Sequence, residues 1–284
     1  MTTIKELSTE PYKPDWCPGC GNFVILQAVK QALVNLGLKK EEVVITSGIG
    51  CSSKFPQWIN TFGLHGVHGR GLVMGLGVKM ANKKMKVIVI GGDGDIYGEG
   101  VNHFIEALRD NVDITLLVHN NLIYGLTKGQ ASPLTPKGRV TSSTPLGNPA
   151  YPLNPIALAV SQDCGFVARS TTSHMKHLVD MIMKAISYEG FSYLDILQQC
   201  VTFNKVNTMK WYKDNCYEIV KHKVGDKKKA LELAFKEDSL PIGVIYNIKK
   251  DEFCKGHPIL NKNPLIKRKL DEVNIKSLLD EISY

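Results

Sequence analysis

The sequence predicts an α/β domain with a doubly wound, mainly parallel sheet and a C-terminal extension, and three observations carry that reading. Short β-branched runs, EVVITSG (42–48), KVIVIG (86–91) and DITLLVH (113–119), alternate with helical patterns, the order that yields a parallel sheet with helices on both faces. Each run is apolar almost throughout, as strands covered on both faces are. The second run ends in Gly-Gly-Asp-Gly-Asp and the third in Asn-Asn, at the carboxyl edge where open α/β sheets bind ligands.

The elements follow in order. The polar lead-in before Cys17 holds two prolines and reads as extended. FVILQAVKQALVNL (23–36) places apolar residues at helical spacing and stops at Gly37, a suitable C-terminal cap. Strand 42–48 breaks at Gly48-Ile49-Gly50, and GRGLVMGLGVKMAN (69–82) reads as a glycine-rich helix able to approach a neighbouring backbone closely. Strand 86–91, helix 98–109 and strand 113–119 form a βαβ unit. The long Gly/Pro/Ser/Thr-rich loop from Asn120 to Leu153 has the length of a lid or cofactor cradle. A helix at 155–163, a strand at 166–169, a helix from Met175 to Glu189 capped by Thr172 or Ser173, and a strand from Tyr193 to Leu197 continue the alternation. Beyond Cys200 the pattern weakens into helical pieces (Met209–Val220, Lys227–Lys236), a strand-like IGVIY (242–246) and a polar tail at 251–284. The expected division is a site-bearing domain at 1–204 and a C-terminal helical extension and tail at 205–284.

Composition narrows the function classes. The chain has 284 residues, 43% hydrophobic and 22% charged, enough for a large core of ordinary balance. No run approaches the ~20 apolar residues that span a bilayer, and the N-terminus lacks a basic-then-apolar signal, so the expectation is a cytoplasmic protein without membrane association. The net charge is +8, but the lysines crowd into 205–229 and 249–269 rather than forming an arm interleaved with aromatics, which argues against nucleic acid. Such a face suits an acidic electron carrier, a partner chain or plain solvent.

Two constellations carry chemistry. If strands 86–91 and 113–119 are parallel, Asp93 and Asn121 leave the same edge and can converge on one ion. Oxygen ligands of this kind suit Mg²⁺, which in turn suits a phosphate. Glycines 91, 92 and 94 let the backbone approach a bulky anion, and the helix expected after Gly98 turns amide donors toward it. The second constellation is thiol. Seven cysteines in a chain without a secretory signal point to metal or catalysis rather than disulfides. Cys17 and Cys20 lie in WCPGCGNF directly before a helix, without the preceding strand that a thioredoxin-type pair requires. Cys51 and Cys200 end strands, so three chain segments bring four thiols toward one rim. Four thiolates suit Zn²⁺ or an iron-sulfur cluster, and a single C-x-x-C joined by two isolated cysteines tilts the choice toward a cluster. Cys164, Cys216 and Cys254 have no partner at ligand spacing and read as incidental thiols.

Gly-Asp-Gly followed by a distant Asn-Asn resembles the signature of thiamine-diphosphate enzymes. That resemblance implies Mg²⁺ held by Asp93, Asn121 and the main-chain carbonyl of Ile123. Together with WCPGCGN (16–22), GIGCSSKFP (48–56), HGVHGR (65–70), GDGDIYGEGVNHFIEALRDN (92–111), NNLIYGLTKGQASP (120–133) and DILQQCVTFN (195–204), it makes the chain similar to the β subunit of a 2-oxoacid:ferredoxin oxidoreductase. The resemblance implies a [4Fe-4S] cluster on Cys17, Cys20, Cys51 and Cys200. It implies thiamine diphosphate against Ile49, Gly50, Cys51, Ser52, His68, Gly94, Asp95, Asn121 and Leu126. Lys54 and His68 are the candidate catalytic side chains, Lys54 as a partner for a substrate carboxylate. The implied reaction oxidises a 2-oxoacid to acyl-CoA and CO₂ and passes electrons to ferredoxin. Only one sheet of this type is visible, so the Glu that activates the cofactor would come from a larger α subunit, without which the chain would be inactive. The alternative is a non-redox thiamine-diphosphate decarboxylase or lyase subunit with a structural zinc. Asn120 stands where many members of the family have Asp, and no family motif is matched beyond residue 204.

Overall fold

A computed structural model describes residues 2–236, 238–262, 264–267 and 275–282; the rest of the expected tail, including Lys269 of the basic run, lies outside the described residues. Eight strands form one sheet in the order β2-β1-β3-β4-β6-β5-β8-β7. They are β1 (Val43–Ser47), β2 (Phe62–His65), β3 (Lys86–Gly92), β4 (Thr115–Asn120), β5 (Phe166–Thr171), β6 (Ser192–Leu197), β7 (Cys216–Glu218) and β8 (Leu240–Asn247). The first six run parallel, whereas β8 pairs antiparallel with β5 and parallel with β7. This is the predicted doubly wound sheet, closed at one edge by two reversed strands.

The pleat explains why the central runs are apolar on both parities. Val87 and Val89 of β3 pack with Leu116 and Val118 of β4 under α2 (Gly71–Ala81), α3 (Val101–Asp110), α4 (Pro155–Ser161) and α7 (Lys227–Ala234). Ile88, Ile90 and Leu117 face the opposite layer, made by α1 (Gly21–Asn35) and α5 (Met175–Ser187). Each fully buried aliphatic side chain stabilises the fold by about 1.5–3 kcal/mol before entropy is set against it. The glycine-rich helix does press close: a Cβ on Gly75 would stand 2.8 Å from Val89 and 3.1 Å from Thr46 Oγ1.

Several expectations need correction. The helix expected at 98–109 begins only at Val101, because Asp95–Glu99 forms a π-helical turn whose glycines lie against Tyr124; a Cβ on Gly98 would come 2.2 Å from its hydroxyl. Neither Thr172 nor Ser173 caps α5, whose N-cap is His174 without a side-chain bond. Thr172 Oγ1 donates to Gln199 Oε1 and Ser173 pairs with His174, so both hydroxyls are engaged elsewhere. The C-terminal extension is not simply helical: the piece expected from Met209 to Val220 stops at Asn215 and becomes β7, and β8 enters the main sheet. Ala230, Leu233 and Ile245 share one core with Val89, and Cys254, expected in a polar tail, is buried in that core as well. Edge strand β2 was not predicted, since all four of its residues are exposed and leave no apolar alternation to read. Among the described residues no helix is long and apolar enough to cross a membrane.

Candidate functional site

The chain leaves β1 toward β2 on one side and leaves β3 toward β4 on the other, so the carboxyl ends of β1 and β3 flank a topological switch point. Ile49 to Ser52, Asp93 to Asp95, His68 and Asn121 line one cavity there, together with Ile123 to Thr127. Asp95 is the joint that holds it. Turned inward by the π-helical turn and 2% exposed, it accepts the Ile49 N–H (3.0 Å), the Gly69 N–H (2.7 Å) and a contact from His68 Nδ1 (2.7 Å) on a single oxygen. One carboxylate thereby fixes the loop after β1, the loop after β2 and the turn after β3. Gly48 has to be glycine, because a Cβ there would sit 2.3 Å from the Asp95 carboxylate.

Asp93 is buried beside it, accepting the Ser132 hydroxyl at 2.5 Å. Burial pushes its carboxyl up to about 7, against the opposing pull of Ser132 and the Asn121 N–H. A buried carboxylate that lines a cavity and is held, among the described residues, by neutral donors alone is the environment that a divalent metal completes. Asn121 stands opposite with Oδ1 accepting the Ile123 N–H at 3.0 Å, and its own carbonyl accepts Asn204 Nδ2 at 3.0 Å. Asp93, Asn121 and the Ile123 carbonyl therefore fit a hard cation, two by side chain and one by backbone. Tyr124 seals the rear of the turn, donating from its hydroxyl to the Gly94 carbonyl at 3.2 Å and meeting His68 edge-on at 6.2 Å.

A second cavity of about 280 Å³ adjoins the first and is lined by Cys17, Cys20, Cys51 and Cys200. Cys51, Asn121, Gly125 and Leu126 belong to both walls. Gly125 sits between two thiols: a Cβ built there would lie 3.5 Å from Cys51 Sγ and 3.8 Å from Cys200 Sγ. Burial pushes the Cys20 thiol up to about 12 and also raises Cys51, with neighbouring thiols adding to the effect on each. Buried thiols that repel one another as thiolates are what a bound metal group relieves. The four thiols, brought from three segments of the chain, thus line one cavity.

The site residues read from the sequence thus fall into two adjoining cavities. Lys54 belongs to the thiol cavity, and its ammonium is paired with Asp15 at 2.6 Å. Leu126 is 45% exposed at the shared wall. Asn120 is not in the site but beneath it, donating to Asp195 Oδ1 at 3.0 Å while Arg169 donates to the other oxygen at 3.0 Å. An Asp at 120 would set two buried carboxylates side by side, so Asn suits this chain. Sequence reasoning missed Ser132, Asn204, Tyr124 and Asn22. Ser132 lies in the Ala-Ser-Pro of the long loop, and only its position in that loop hinted at a role.

Comparison with known proteins shows what the chain as a whole is similar to. The family model of the thiamine pyrophosphate enzyme C-terminal TPP binding domain matches residues 48–196, and that of the C terminal of the pyruvate ferredoxin oxidoreductase β chain matches residues 200–262. The 2-oxoacid:ferredoxin oxidoreductase subunit β of Saccharolobus solfataricus is 47% identical over 247 residues, covering 82% of this chain and 81% of its own. Subunit β of 2-oxoacid:ferredoxin oxidoreductase 1 from Aeropyrum pernix is 44% identical over 253 residues, covering 84% of this chain and 80% of its own. Among solved structures, the 2-oxoglutarate:ferredoxin oxidoreductase of Magnetococcus marinus with 2-oxoglutarate, coenzyme A and succinyl-CoA bound superposes with a TM-score of 0.90 at 31% identity, over 100% of this chain and 97% of that one.

Proposed function

The chain belongs to the β subunits of the 2-oxoacid:ferredoxin oxidoreductases, and from that premise we propose that it holds thiamine diphosphate, Mg²⁺ and a [4Fe-4S] cluster for the oxidative decarboxylation of a 2-oxoacid to acyl-CoA. The observation that carries the reading is the shared wall: Cys51, Asn121, Gly125 and Leu126 line the diphosphate cavity on one side and the thiol cavity on the other. When bound, the thiamine group supplies an electron sink for cleaving carboxylate from a keto carbon, and an iron-sulfur cluster accepts electrons singly.

The chain's own residues do the rest by holding and orienting. Asp93, Asn121 and the Ile123 carbonyl would hold Mg²⁺ and through it the diphosphate. Asp95 fixes the Ile49–Ser52 loop against which the cofactor would lie, and it orients His68, which lines the same cavity. Lys54, 26% exposed at its side chain and held by Asp15, would exchange that partner for the carboxylate of an incoming acid. Cys17, Cys20, Cys51 and Cys200 would ligate the cluster. The similarity to 2-oxoacid:ferredoxin oxidoreductase β subunits favours the multi-iron group over the zinc alternative.

No glutamate lines either cavity among the described residues, so the group that activates the aminopyrimidine ring would come from a larger α subunit seated over this face. Residues 1–204 would then carry both sites, while β7 and β8 close the far edge of the sheet. Ferredoxin would take the electrons from the exposed Cys17 side. The test is decarboxylation by purified chain, alone and with its α subunit, under anaerobic conditions with thiamine diphosphate and Mg²⁺. Activity should appear only in the assembled enzyme; full activity of the isolated chain would overturn the half-site assignment.

A further inference from the structure

Asn22 is fully buried and lies at the second position of α1, in the wall of the thiol cavity. Its main-chain N–H is near enough to the Cys20 sulfur to pull against the burial that raises that thiol. Its side-chain oxygen accepts from His119 Nδ1 at 2.8 Å. An amide oxygen cannot donate, so Nδ1 carries the imidazole proton, and the amide plane is set with its nitrogen on the opposite side. That nitrogen, Nδ2, is buried and has no hydrogen-bond partner among the described residues. A buried amide N–H without an acceptor is costly, and such an orientation calls for an acceptor in the adjoining cavity, which Asn22 lines. The His119 ring that enforces it is itself buried on β4 and packed edge-on against Phe55 at 5.9 Å.

We propose that Asn22 donates from Nδ2 to a sulfur of the group held by the four cysteines and thereby raises the reduction potential of that group. The inference rests on the reading that Cys17, Cys20, Cys51 and Cys200 hold a [4Fe-4S] cluster. One-electron reduction adds a negative charge that spreads over the sulfurs, so an N–H directed at sulfur stabilises the reduced state more than the oxidised one. Asn22 is thus a tuning residue whose side-chain donor is held in place by His119.

The experiment uses the assembled enzyme, with Asn22→Leu as the near-isosteric variant and Asn22→Ala as a smaller one that adds no bulk. Iron and sulfide are counted, and the cluster is titrated potentiometrically with EPR detection of the reduced form. The expected result is full iron content with reduction disfavoured about tenfold, a shift of about 59 mV to more negative potential for one electron. A merely structural loosening would admit water and move the potential the other way. An unchanged or raised potential in a fully loaded variant overturns the inference while leaving the functional reading intact. Wild-type enzyme without iron overturns both.

Discussion

Asp95→Ala removes the joint of the site, and its cost can be worked from the contacts. Asp95 is 2% exposed, and its carboxylate accepts the Ile49 and Gly69 amides at 3.0 and 2.7 Å, their one side-chain acceptor among the described residues. Each amide left without an acceptor costs about 1–3 kcal/mol, giving about 2–6 kcal/mol for the pair. His68 is 35% exposed at its side chain and can turn to water, so its lost contact adds little. Asp95→Asn keeps an oxygen for the amides and should lose only about 1 kcal/mol, the charge-assisted part. Urea unfolding of both variants, beside binding of thiamine diphosphate with Mg²⁺, separates the two effects. Alanine should lower stability by several kcal/mol and abolish cofactor binding, because the Ile49–Ser52 loop is released; asparagine should retain most of both. An alanine variant within about 0.5 kcal/mol of wild type, with unchanged cofactor affinity, would refute the claim that this carboxylate organises the site.

Other outcomes follow from single contacts. Asn120→Asp places a second carboxylate against Asp195 in a buried network and should destabilise the protein by about 3–5 kcal/mol at pH 8, with partial recovery as pH falls and one of the pair takes up a proton, measured by thermal melting across pH. The Asp93 carboxyl, raised to about 7 by burial, must release its proton to accept Mg²⁺. Metal affinity should therefore be flat above pH 7 and fall roughly tenfold per unit below it, as followed by calorimetry. By linkage, the metal-free protein should hold the stability associated with protonated Asp93 below the carboxylate's unfolded value near 4 and lose it as pH rises through about 7. Gly75→Ala should push α2 away from Val89 at a cost of about 1–3 kcal/mol in urea unfolding, while cluster content stays unchanged.

The sheet was legible because β3 and β4 are apolar on both parities, which only a strand covered on both faces requires, and because their ends carry unmistakable polar residues. The same logic located Asp93, Asn121, Cys51 and Cys200 on one edge. It failed where packing rather than pattern decides. The exposed strand Phe62–His65 has no alternation, and the π-helical turn at Asp95–Glu99 packs against Tyr124, a residue well along the chain. Cys216 reads as helical in sequence, yet it joins β7 through pairing with Leu240. Asn22 carried no signal at all, since its meaning depends on His119, which is distant in sequence and hydrogen-bonded to it in space.

Anaerobic purification followed by iron, sulfide and zinc analysis, with the visible spectrum recorded alongside, tests the central claim most directly. The four thiols around one cavity predict a brown protein with about four irons and an equal amount of sulfide per chain, lost when Cys51 or Cys200 is replaced by alanine. A colourless protein that holds zinc and no iron would contradict the account.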